Sequence, residues 1–334
     1  MNSVFDKRYE IRQARFEEIN EIMDFIENHW KKGHIFGKNR EFFEYEFVID
    51  GKVNFYIAKN RKTNEIESLQ GFLYASHPEK KKDVWGSIWK TRTDHPNKPF
   101  LGLELNDRLH EEYGFRSGAG VGINPNTALP LNKSLGAYCS KMNHYYRLAN
   151  CTEYKIAKIK EKIILPKNQQ IKQITPQKVN SIDELKQVFD FSSVENVFPL
   201  KDDWYINHRF FNHPIYKYDV YSIPNAFFVT RVQEYNNSKI LRIVDYLGDH
   251  SSFAGLYDFF EKLLNEYEYV DFYNLGFEHE YLEMAGFIRN EFESENIIPN
   301  YFAPFVQKNI EVYVSASNDK YIFFKADADQ DRPN

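Results

Sequence analysis

A pattern of helix, strand and short helix that occurs twice, with its Asn and Gly pairs 150 positions apart, constrains the fold of this chain more than any other feature. The stretches GLELNDRLHEEYG and GLYDFFEKLLNEYEY both have helical periodicity, open with Gly-Leu and close with Glu-Tyr. Asn124 and Asn274 end the two strands that follow, and Gly136 and Gly286 end the two short helices after them. Similarity at a fixed offset indicates internal duplication. We therefore predict two copies of one unit of helices and strands.

The periodicity of apolar residues gives both halves a similar plan. The first half alternates strands and helices from YEIRQA at 9–14 to a last strand, MNHYYRLA. The second half runs from a helix at 181–190 to the strands IEVYVSA and YIFFKA. A segment rich in Lys and Gln, with two prolines, lies between them. We predict an N-terminal lobe at 1–150, a linker at 151–180, and a C-terminal lobe at 181–334 that ends in an acidic segment.

Composition narrows the classes of partner. The net charge of −5 on 334 residues does not indicate a nucleic acid or another polyanion as a partner. Two cysteines are too few for a disulfide framework, and no window approaches the roughly 20 apolar residues of a membrane span. The first residues are charged throughout, without the apolar core of a secretion signal. We predict a cytoplasmic protein without a membrane span, and the oligomeric state stays open.

Two late segments carry a family resemblance. VGINPNTALPLNKSLGAY and YNLGFEHEYLEMAGF both resemble the part of the GNAT acyltransferase fold where a strand ends near an Asn and a short helix runs into a Leu-Gly-Phe-like turn. A tandem pair of such folds is similar to the Fem-type aminoacyl transferases and N-myristoyltransferase. The stretches MNHYYRLA, IPNYFAPF and FFKADADQDRPN resemble a little-characterised acyltransferase-like group associated with bacterial surface-polysaccharide gene clusters. The resemblance implies an α/β fold with mixed sheets in two tandem GNAT-like lobes.

The resemblance also implies a site for an acyl-CoA. GNAT proteins bind its pyrophosphate on backbone N–H groups of a basic, glycine-spaced loop at a helix N-terminus, where the helix dipole favours an anion. Neither half of this chain has that loop. DHPNKPFLG in the first half offers only Gly102, whereas LGDHSSFAG in the second half is lined by Gly248, Ser251, Ser252 and Gly255. We predict these four residues as the acyl-CoA site, with an ordinary helix-capping loop as the alternative.

Asp245 is the predicted catalytic residue. It ends the apolar strand RIVDYLG beside the predicted donor loop, at the edge where a GNAT-like plan places the group that accepts the amine proton. A carboxylate whose pKa is raised by burial would serve as that base. A strand-end Asp that caps a turn is the alternative.

The predicted acceptor site draws on three parts of the second half. The segment NHRFFNHP presents a polar wall, one strand ends in an Asn, and the C-terminal stretch YIFFKADADQDRPN carries acids at alternate positions. Open α/β sheets bind ligands at the carboxyl ends of their strands. The predicted substrate-binding residues are Arg209, His213, Asn274, Asp329, Asp331 and Arg332. Deleting residues 327–334 should then abolish activity and change the melting temperature by only a few degrees. We predict no metal site.

We interpret the sequence as that of an acyltransferase that uses acyl-CoA. Its predicted acceptor is an amine, or a hydroxyl, of an amino sugar or sugar nucleotide in surface glycan synthesis. Direct attack on the thioester needs no covalent enzyme intermediate, which fits the lack of a motif-bound Ser or Cys nucleophile. One alternative is a catalytically silent binding or scaffold protein of a glycan pathway. A Fem-like aminoacyl transferase is another, although the acidic charge disfavours it.

Overall fold

Two units of mixed α/β structure, divided between Gly120 and Val121, make up the chain. The structure is a computed structural model, and it describes residues 4–80, 83–94 and 96–333. Asn334, the last residue of the predicted acidic segment, lies outside the described residues. None of the helices in the described ranges combines the length and the hydropathy needed to cross a bilayer.

Unit 1 contains a sheet covered by helices. Its strands are β1 (Tyr9–Gln13), β2 (Val48–Ile49), β3 (Lys52–Val53), β4 (Phe55–Asn60), β5 (Ile66–Tyr74), β6 (Asp83–Thr91) and β7 (Ser117–Val121). Its α-helices are α1 (Ile19–Phe25), α2 (Ile35–Lys38), α3 (Arg40–Phe47) and α4 (Leu101–Tyr113), with a π-helix at Ile26–Trp30 after α1. The strands are ordered β1-β4-β5-β6-β7, and only the β6–β7 pair is parallel.

Helix α4 illustrates why these residues form these elements. Leu101, Leu105 and Leu109 recur at helical spacing and are all buried, so the helix packs one apolar face on the sheet. Gly114 ends it with φ +55°, a conformation that glycine adopts without strain. Helix α4 is the crossover between the parallel strands β6 and β7, so its N-terminus follows the end of β6.

Unit 2 has a larger sheet. Its strands are β8 (Tyr138–Lys141), β9 (Asn143–Leu148), β10 (Gln177–Val179), β11 (Asp219–Ile223), β12 (Ala226–Tyr235), β13 (Ser238–Gly248), β14 (Tyr269–Leu275), β15 (Ile288–Asn290), β16 (Tyr301–Phe302), β17 (Phe305–Val306), β18 (Tyr313–Ala316) and β19 (Phe323–Phe324). Its α-helices are α5 (Ala128–Ser134), α6 (Ile182–Val188), α7 (Asp203–Ile206), α8 (Tyr257–Leu263) and α9 (His279–Met284). A π-helix at Asn207–Phe211 follows α7, and 3-10 helices lie at Phe191–Val194 and His250–Leu256.

The main sheet of unit 2 is ordered β10-β11-β12-β13-β14-β9-β15, and β19 also pairs with β14. The helices α8 and α9 and the 3-10 helix at His250–Leu256 cover one face. Their aromatic and aliphatic side chains form one buried core with this face, in which Phe253, Phe260 and Phe272 take part. Aromatic residues supply much of this core, so the high aromatic content is used mainly for packing.

Strand pairing confirms the predicted duplication. In unit 1, β1, β4, β5 and β6 pair antiparallel in turn, and a helix then crosses over to a parallel strand. In unit 2, β10 to β13 do the same before α8 crosses to parallel β14. The paired glycines also match: Gly136 and Gly286 have φ +81° and +89°. Each donates its N–H to the carbonyl three residues earlier, and the next N–H reaches five residues back, as in a Schellman motif.

Two expectations about the boundary between the halves differ from the structure. Strand β9, expected to complete the first lobe, instead pairs with β14 and β15 of unit 2, and its Tyr145 is part of the unit 2 core. Residues near 150–180 are not a free linker, because Glu268 accepts the N–H groups of residues 155–157 and β10 joins the unit 2 sheet. The division between 120 and 121 therefore does not coincide with the predicted lobes. Apolar periodicity identifies a strand but not its partner.

Candidate functional site

Parallel strands β13 and β14 of unit 2 separate towards their carboxyl ends. They pair only over Leu241–Ile243 and Val270–Phe272, although β13 continues to Gly248. Residues 321–331, which we call the insert segment, fill the gap between them. Its strand β19 pairs with the end of β14, and the N–H of Ala326 donates to the carbonyl of Val244 on β13 at 2.8 Å. The insert segment therefore supplies the backbone partners that the diverging strands no longer give each other.

A buried ion cluster fixes the insert segment to β13. The Lys201 Nζ lies 2.7 and 2.8 Å from the two carboxylate oxygens of Asp245 and 2.6 Å from Asp327 Oδ1. Burial would lower the pKa of Lys201, but the two carboxylates raise it. Burial raises the pKa of Asp245 to about 6, against the opposing effect of Lys201. These charges hold three chain segments together in the protein interior: the loop that carries Lys201, β13 and the insert segment.

A general base needs a raised pKa and access to the substrate amine, and Asp245 meets only the first of these two conditions. Its pKa is raised, as general base catalysis at neutral pH requires. However, the residue is only 2% exposed and both of its oxygens are bound by Lys201. A substrate amine has no access to a carboxylate in this position. The geometry supports a structural role for Asp245, and its catalytic role stays an unsupported prediction.

A second buried pair fixes the end of the insert segment. Arg231 Nε donates to Asp331 Oδ2 at 2.9 Å, and its Nη2 donates to Oδ1, so the pair is bidentate. The Tyr218 hydroxyl donates to the same carboxylate at 2.9 Å. Burial would raise the pKa of Asp331, but Arg231 lowers it well below its usual range. Arg209 also binds the segment, by donating to the backbone carbonyls of Ala326, Ala328 and Asp331.

The remaining predicted acceptor residues lie around or beside this segment. Arg332 pairs with Asp329 at 3.5 Å, and the Nδ1 of His213 accepts the N–H of Tyr216 at 2.9 Å. Burial lowers the pKa of His213 to about 3, so it is neutral. Asn274 is fully buried, and neither end of its amide has a hydrogen-bond partner in the described part of the chain. Most of this set thus comes together, but its contacts are internal.

The expected effect of deleting residues 327–334 must be corrected. We predicted a small change in melting temperature, on the view that the acids face a ligand. In the structure Asp331 neutralises Arg231 inside the protein, and Asp327 shares Lys201 with Asp245. Removing one partner of a buried ion pair leaves an uncompensated buried charge, which costs about 3 to 5 kcal/mol. The deletion would therefore destabilise unit 2.

The predicted donor loop of unit 2 is also occupied by the chain. Gly255 is buried against Ile174. A Cβ atom at position 255 would lie 2.7 Å from the Ile174 side chain, and the Ile174 N–H donates to the Gly255 carbonyl. The Asp249 carboxylate caps the N–H of Ser251 at 2.9 Å, and the Ser252 hydroxyl donates to the carbonyl of Pro224. These contacts match the alternative of an ordinary helix-capping loop.

The surroundings of Gly248 point the same way. The cleft beside it is lined mainly by Val194, Phe198, Leu247 and Phe324. Its buried cation, Lys201, is already bound by two carboxylates. A pyrophosphate needs backbone N–H groups or cations, and an apolar wall offers neither.

The corresponding strands of unit 1 also separate. Strand β6 pairs with β7 only over Asp83–Gly86, but it continues to Thr91. On the side that faces β7, residues 88–91 pair with no described strand of unit 1. No segment of unit 1 plays the part that the insert segment plays in unit 2, within the described ranges. Unit 1 therefore retains the opening that unit 2 has closed.

The helix that begins beside this opening has no side-chain cap. The residue before α4 is Phe100, which has φ +65° and is 76% exposed. Gly102 in the first turn lets the helix approach β6, because a side chain there would lie 3.0 Å from the Thr91 hydroxyl. The Trp89 indole N–H donates to the Gly102 carbonyl at 3.2 Å. The Leu101 N–H donates to the Lys98 carbonyl at 3.2 Å, and Glu104 in the first turn pairs with Arg108 at 2.7 Å. A helix of 13 residues without a side-chain cap still suits an anion at its remaining N–H groups.

Sequence analysis missed the cations that hold the insert segment. Lys201 binds Asp245 across 44 positions, and Arg231 binds Asp331 across 100. Isolated basic residues in a strand or loop carry no local pattern.

Comparisons with known proteins show the fold. No family model matches the sequence, and no curated protein matches it. A GCN5-related N-acetyltransferase from Anabaena variabilis matches with a TM-score of 0.58 and 10% identity, over 92% of this chain and 72% of that chain. A conserved protein from Enterococcus faecalis, provisionally assigned as an N-acyltransferase, matches with a TM-score of 0.56 and 9% identity, over 92% and 71%.

A third solved structure gives a similar result. A provisionally assigned acetyltransferase from Pyrococcus horikoshii matches with a TM-score of 0.50 and 9% identity, over 96% of this chain and 93% of that chain. These likenesses extend over nearly the whole chain, so the GNAT-type fold covers both halves. At such low identity they are evidence for the fold, and function has to be argued from the site.

Proposed function

We propose that this chain is a GNAT-type acyltransferase that takes its acyl group from acyl-CoA. The single observation that carries this proposal is the opening between β6 and β7 in unit 1, with the uncapped start of α4 beside it. The activity named for the Anabaena structure supports the same proposal.

The chemistry of acyl-CoA fits that opening. Its pantetheine arm is extended and carries amides, which can pair with the backbone edge of β6 as an added strand would. Its pyrophosphate would then meet the N–H groups and the positive dipole end of α4, where Gly102 leaves room for close approach. The Gly248–Gly255 loop of unit 2 is less suited to a pyrophosphate, because Ile174 already packs against Gly255 and the Asp249 carboxylate already accepts the Ser251 N–H.

The proposed reaction is direct transfer. The acceptor nitrogen, in its neutral form, attacks the thioester carbonyl, the carbon–sulfur bond breaks, and the thiolate of CoA leaves. The proton lost by the nitrogen restores the thiol, so atoms and charge balance without a covalent enzyme intermediate. The acceptor we propose is the amine of an amino sugar or sugar nucleotide in glycan synthesis. This acceptor rests only on the resemblance of MNHYYRLA, IPNYFAPF and FFKADADQDRPN.

A binding and turnover experiment tests this function. Thermal unfolding with CoA should show stabilisation of about 2.7 kcal/mol at a hundred times the dissociation constant. Acetyl-CoA is then incubated with a panel of amino sugars and their nucleotides, and free thiol is measured. Thiol release that depends on an acceptor supports the proposal. Absence of both CoA binding and thiol release would favour the catalytically silent scaffold.

A further inference from the structure

One buried amine in unit 2 contacts only aromatic rings. Lys325 is 3% exposed, and its ammonium makes no hydrogen bond or ion pair with any residue the structure describes. Its Nζ lies 5.8 Å from the ring centre of Tyr273 and 5.7 Å from that of Tyr301. These are cation–π contacts at the outer limit of their range, and they leave the three N–H donors of a buried ammonium without an acceptor, which is costly.

Two further donors lack hydrogen-bond partners in the described part of the chain. The hydroxyl of fully buried Tyr273 and the amide nitrogen of Asn300 have no hydrogen-bond partner among the described residues. Asn300 precedes Tyr301, and its own oxygens accept from Arg242 at 2.8 and 3.3 Å. The Arg242 guanidinium lies 5.6 Å from the Tyr273 ring centre. Arg242 thus connects Asn300 to the ring that Lys325 approaches.

The charges around Lys325 leave one cation in excess. Arg242 is neutralised by Asp271, with Nε at 2.9 Å and Nη2 at 2.6 Å from the carboxylate oxygens. Arg231 is neutralised by Asp331. Burial and the nearby Arg242 lower the pKa of Lys325 to about 7, while Asp331 and Asp271 oppose that shift. His144, stacked on Tyr273, stays neutral because burial lowers its pKa.

We propose that Lys325, the Tyr273 hydroxyl and the Asn300 amide nitrogen bind the carboxylate of a small acid. All three are donors, so the ligand must supply acceptor oxygens. The single excess charge matches a monoanion, and the neighbouring aromatic rings suit a planar group. Tyr301 is 40% exposed and its ring centre lies 5.7 Å from the Lys325 Nζ, so the proposed site is nearest to solvent on the Tyr301 side. This inference concerns unit 2 alone and does not depend on where an acyl donor binds.

The titration of Lys325 tests the proposal directly. The protein is labelled with carbon-13 at the lysine Cε, and the Lys325 signal is identified by its loss in Lys325→Met. Its titration midpoint is then measured in sodium chloride, acetate and phosphate at equal ionic strength. Acetate should raise the midpoint by about one pH unit, which is a tenfold preference for the charged amine. A midpoint unchanged by acetate would overturn the proposal. A rise with phosphate alone would also overturn it, since the site would then take phosphate.

Two variants separate the site from general effects. Tyr273→Phe removes only the hydroxyl and should weaken acetate binding by about tenfold, a loss of about 1.4 kcal/mol. Lys320→Met removes an exposed amine a few residues away and should leave acetate binding unchanged. Equal losses in both variants would show that acetate binds through general charge, and the site would be rejected.

Discussion

The two copies of the fold treat the same structural opening in opposite ways. In unit 1, β6 runs past the end of its pairing with β7, and α4 begins beside it without a side-chain cap. In unit 2, the insert segment occupies the gap between β13 and β14, and Asp249 caps the helix start. Because the strand order is the same, the difference arises from side chains and from one added segment. A duplicated fold can therefore keep a ligand opening in one copy and use it for stability in the other.

The closed opening should depend on its ion pairs, which gives the largest predicted effect. Deleting residues 327–334 removes Asp331, which leaves Arg231 buried without its counter-charge, and removes Asp327, which leaves Lys201 paired with Asp245 alone. One buried charge left unpaired costs about 3 to 5 kcal/mol, which is a large part of the stability of a typical domain. Circular dichroism during thermal unfolding should show unit 2 largely unfolded or its melting temperature far lower. A melting temperature within a few degrees of that of the full chain would contradict the buried ion pairs and indicate that the segment lies at the surface.

A single substitution gives a smaller version of the same test. Asp331→Asn should cost about 3 kcal/mol in the free energy of unfolding at pH 7, measured in urea. The exposed Asp319→Asn serves as control and should change it by less than about 0.5 kcal/mol. The folded-state pKa of Asp331 is lowered, so its contribution is present above the unfolded value of about 4 and is lost as the pH falls further. Equal stability of the two variants at pH 7 would contradict the buried pair.

Lys325 should have the opposite effect on stability. Its folded-state pKa of about 7 lies below the unfolded value of about 10.4, so between these pH values the unfolded chain binds more protons. The wild type should therefore gain up to about 1.4 kcal/mol for each pH unit in that window relative to Lys325→Met. At pH 6 the variant should be the more stable protein. If the stabilities of the wild type and Lys325→Met in urea changed with pH in the same way, burial of the Lys325 ammonium would carry no free-energy cost and the prediction would be wrong.

The two repeat glycines provide a finer comparison. Gly136→Ala and Gly286→Ala both place a side chain at positive φ, which costs about 1 to 2 kcal/mol. An added Cβ at 286 would also lie 2.9 Å from Arg147 Nε, whereas at 136 nothing lies within 4 Å. Unfolding in urea should rank Gly286→Ala as the more destabilising change. The reverse order would mean that the surroundings of the two turns are not as described.

Much of the fold could be predicted from the sequence, because local signals determine it. Helical spacing located α4, and the offset between Asn124 and Asn274 revealed the duplication. The candidate site could be predicted only in part. Alternating acids correctly drew attention to the insert segment, but their partners Lys201 and Arg231 lie far away in the chain. A carboxylate that faces a ligand and one that faces a buried cation have the same sequence pattern.

The donor loop illustrates a similar limit. Serines and glycines around residue 251 have the composition of an anion site, and only the structure places Ile174 against Gly255. The start of α4 has no such composition, since Phe100 occupies the capping position. What favours α4 is the absence of a cap and the separation of β6 from β7, neither of which a sequence motif reports.

The dissociation constant of CoA in matched variants of the two helix starts tests the central claim most directly. Phe100→Asp places a carboxylate beside the start of α4, Phe100→Asn places a neutral side chain of the same shape there, and both residues tolerate the positive φ at this position. By isothermal titration calorimetry, Phe100→Asp should bind CoA about tenfold or more weakly than Phe100→Asn, because the added charge repels the pyrophosphate. Asp249→Asn should leave the affinity unchanged. Tighter binding in Asp249→Asn, with equal affinities in the two Phe100 variants, would place the donor in unit 2 and contradict this account.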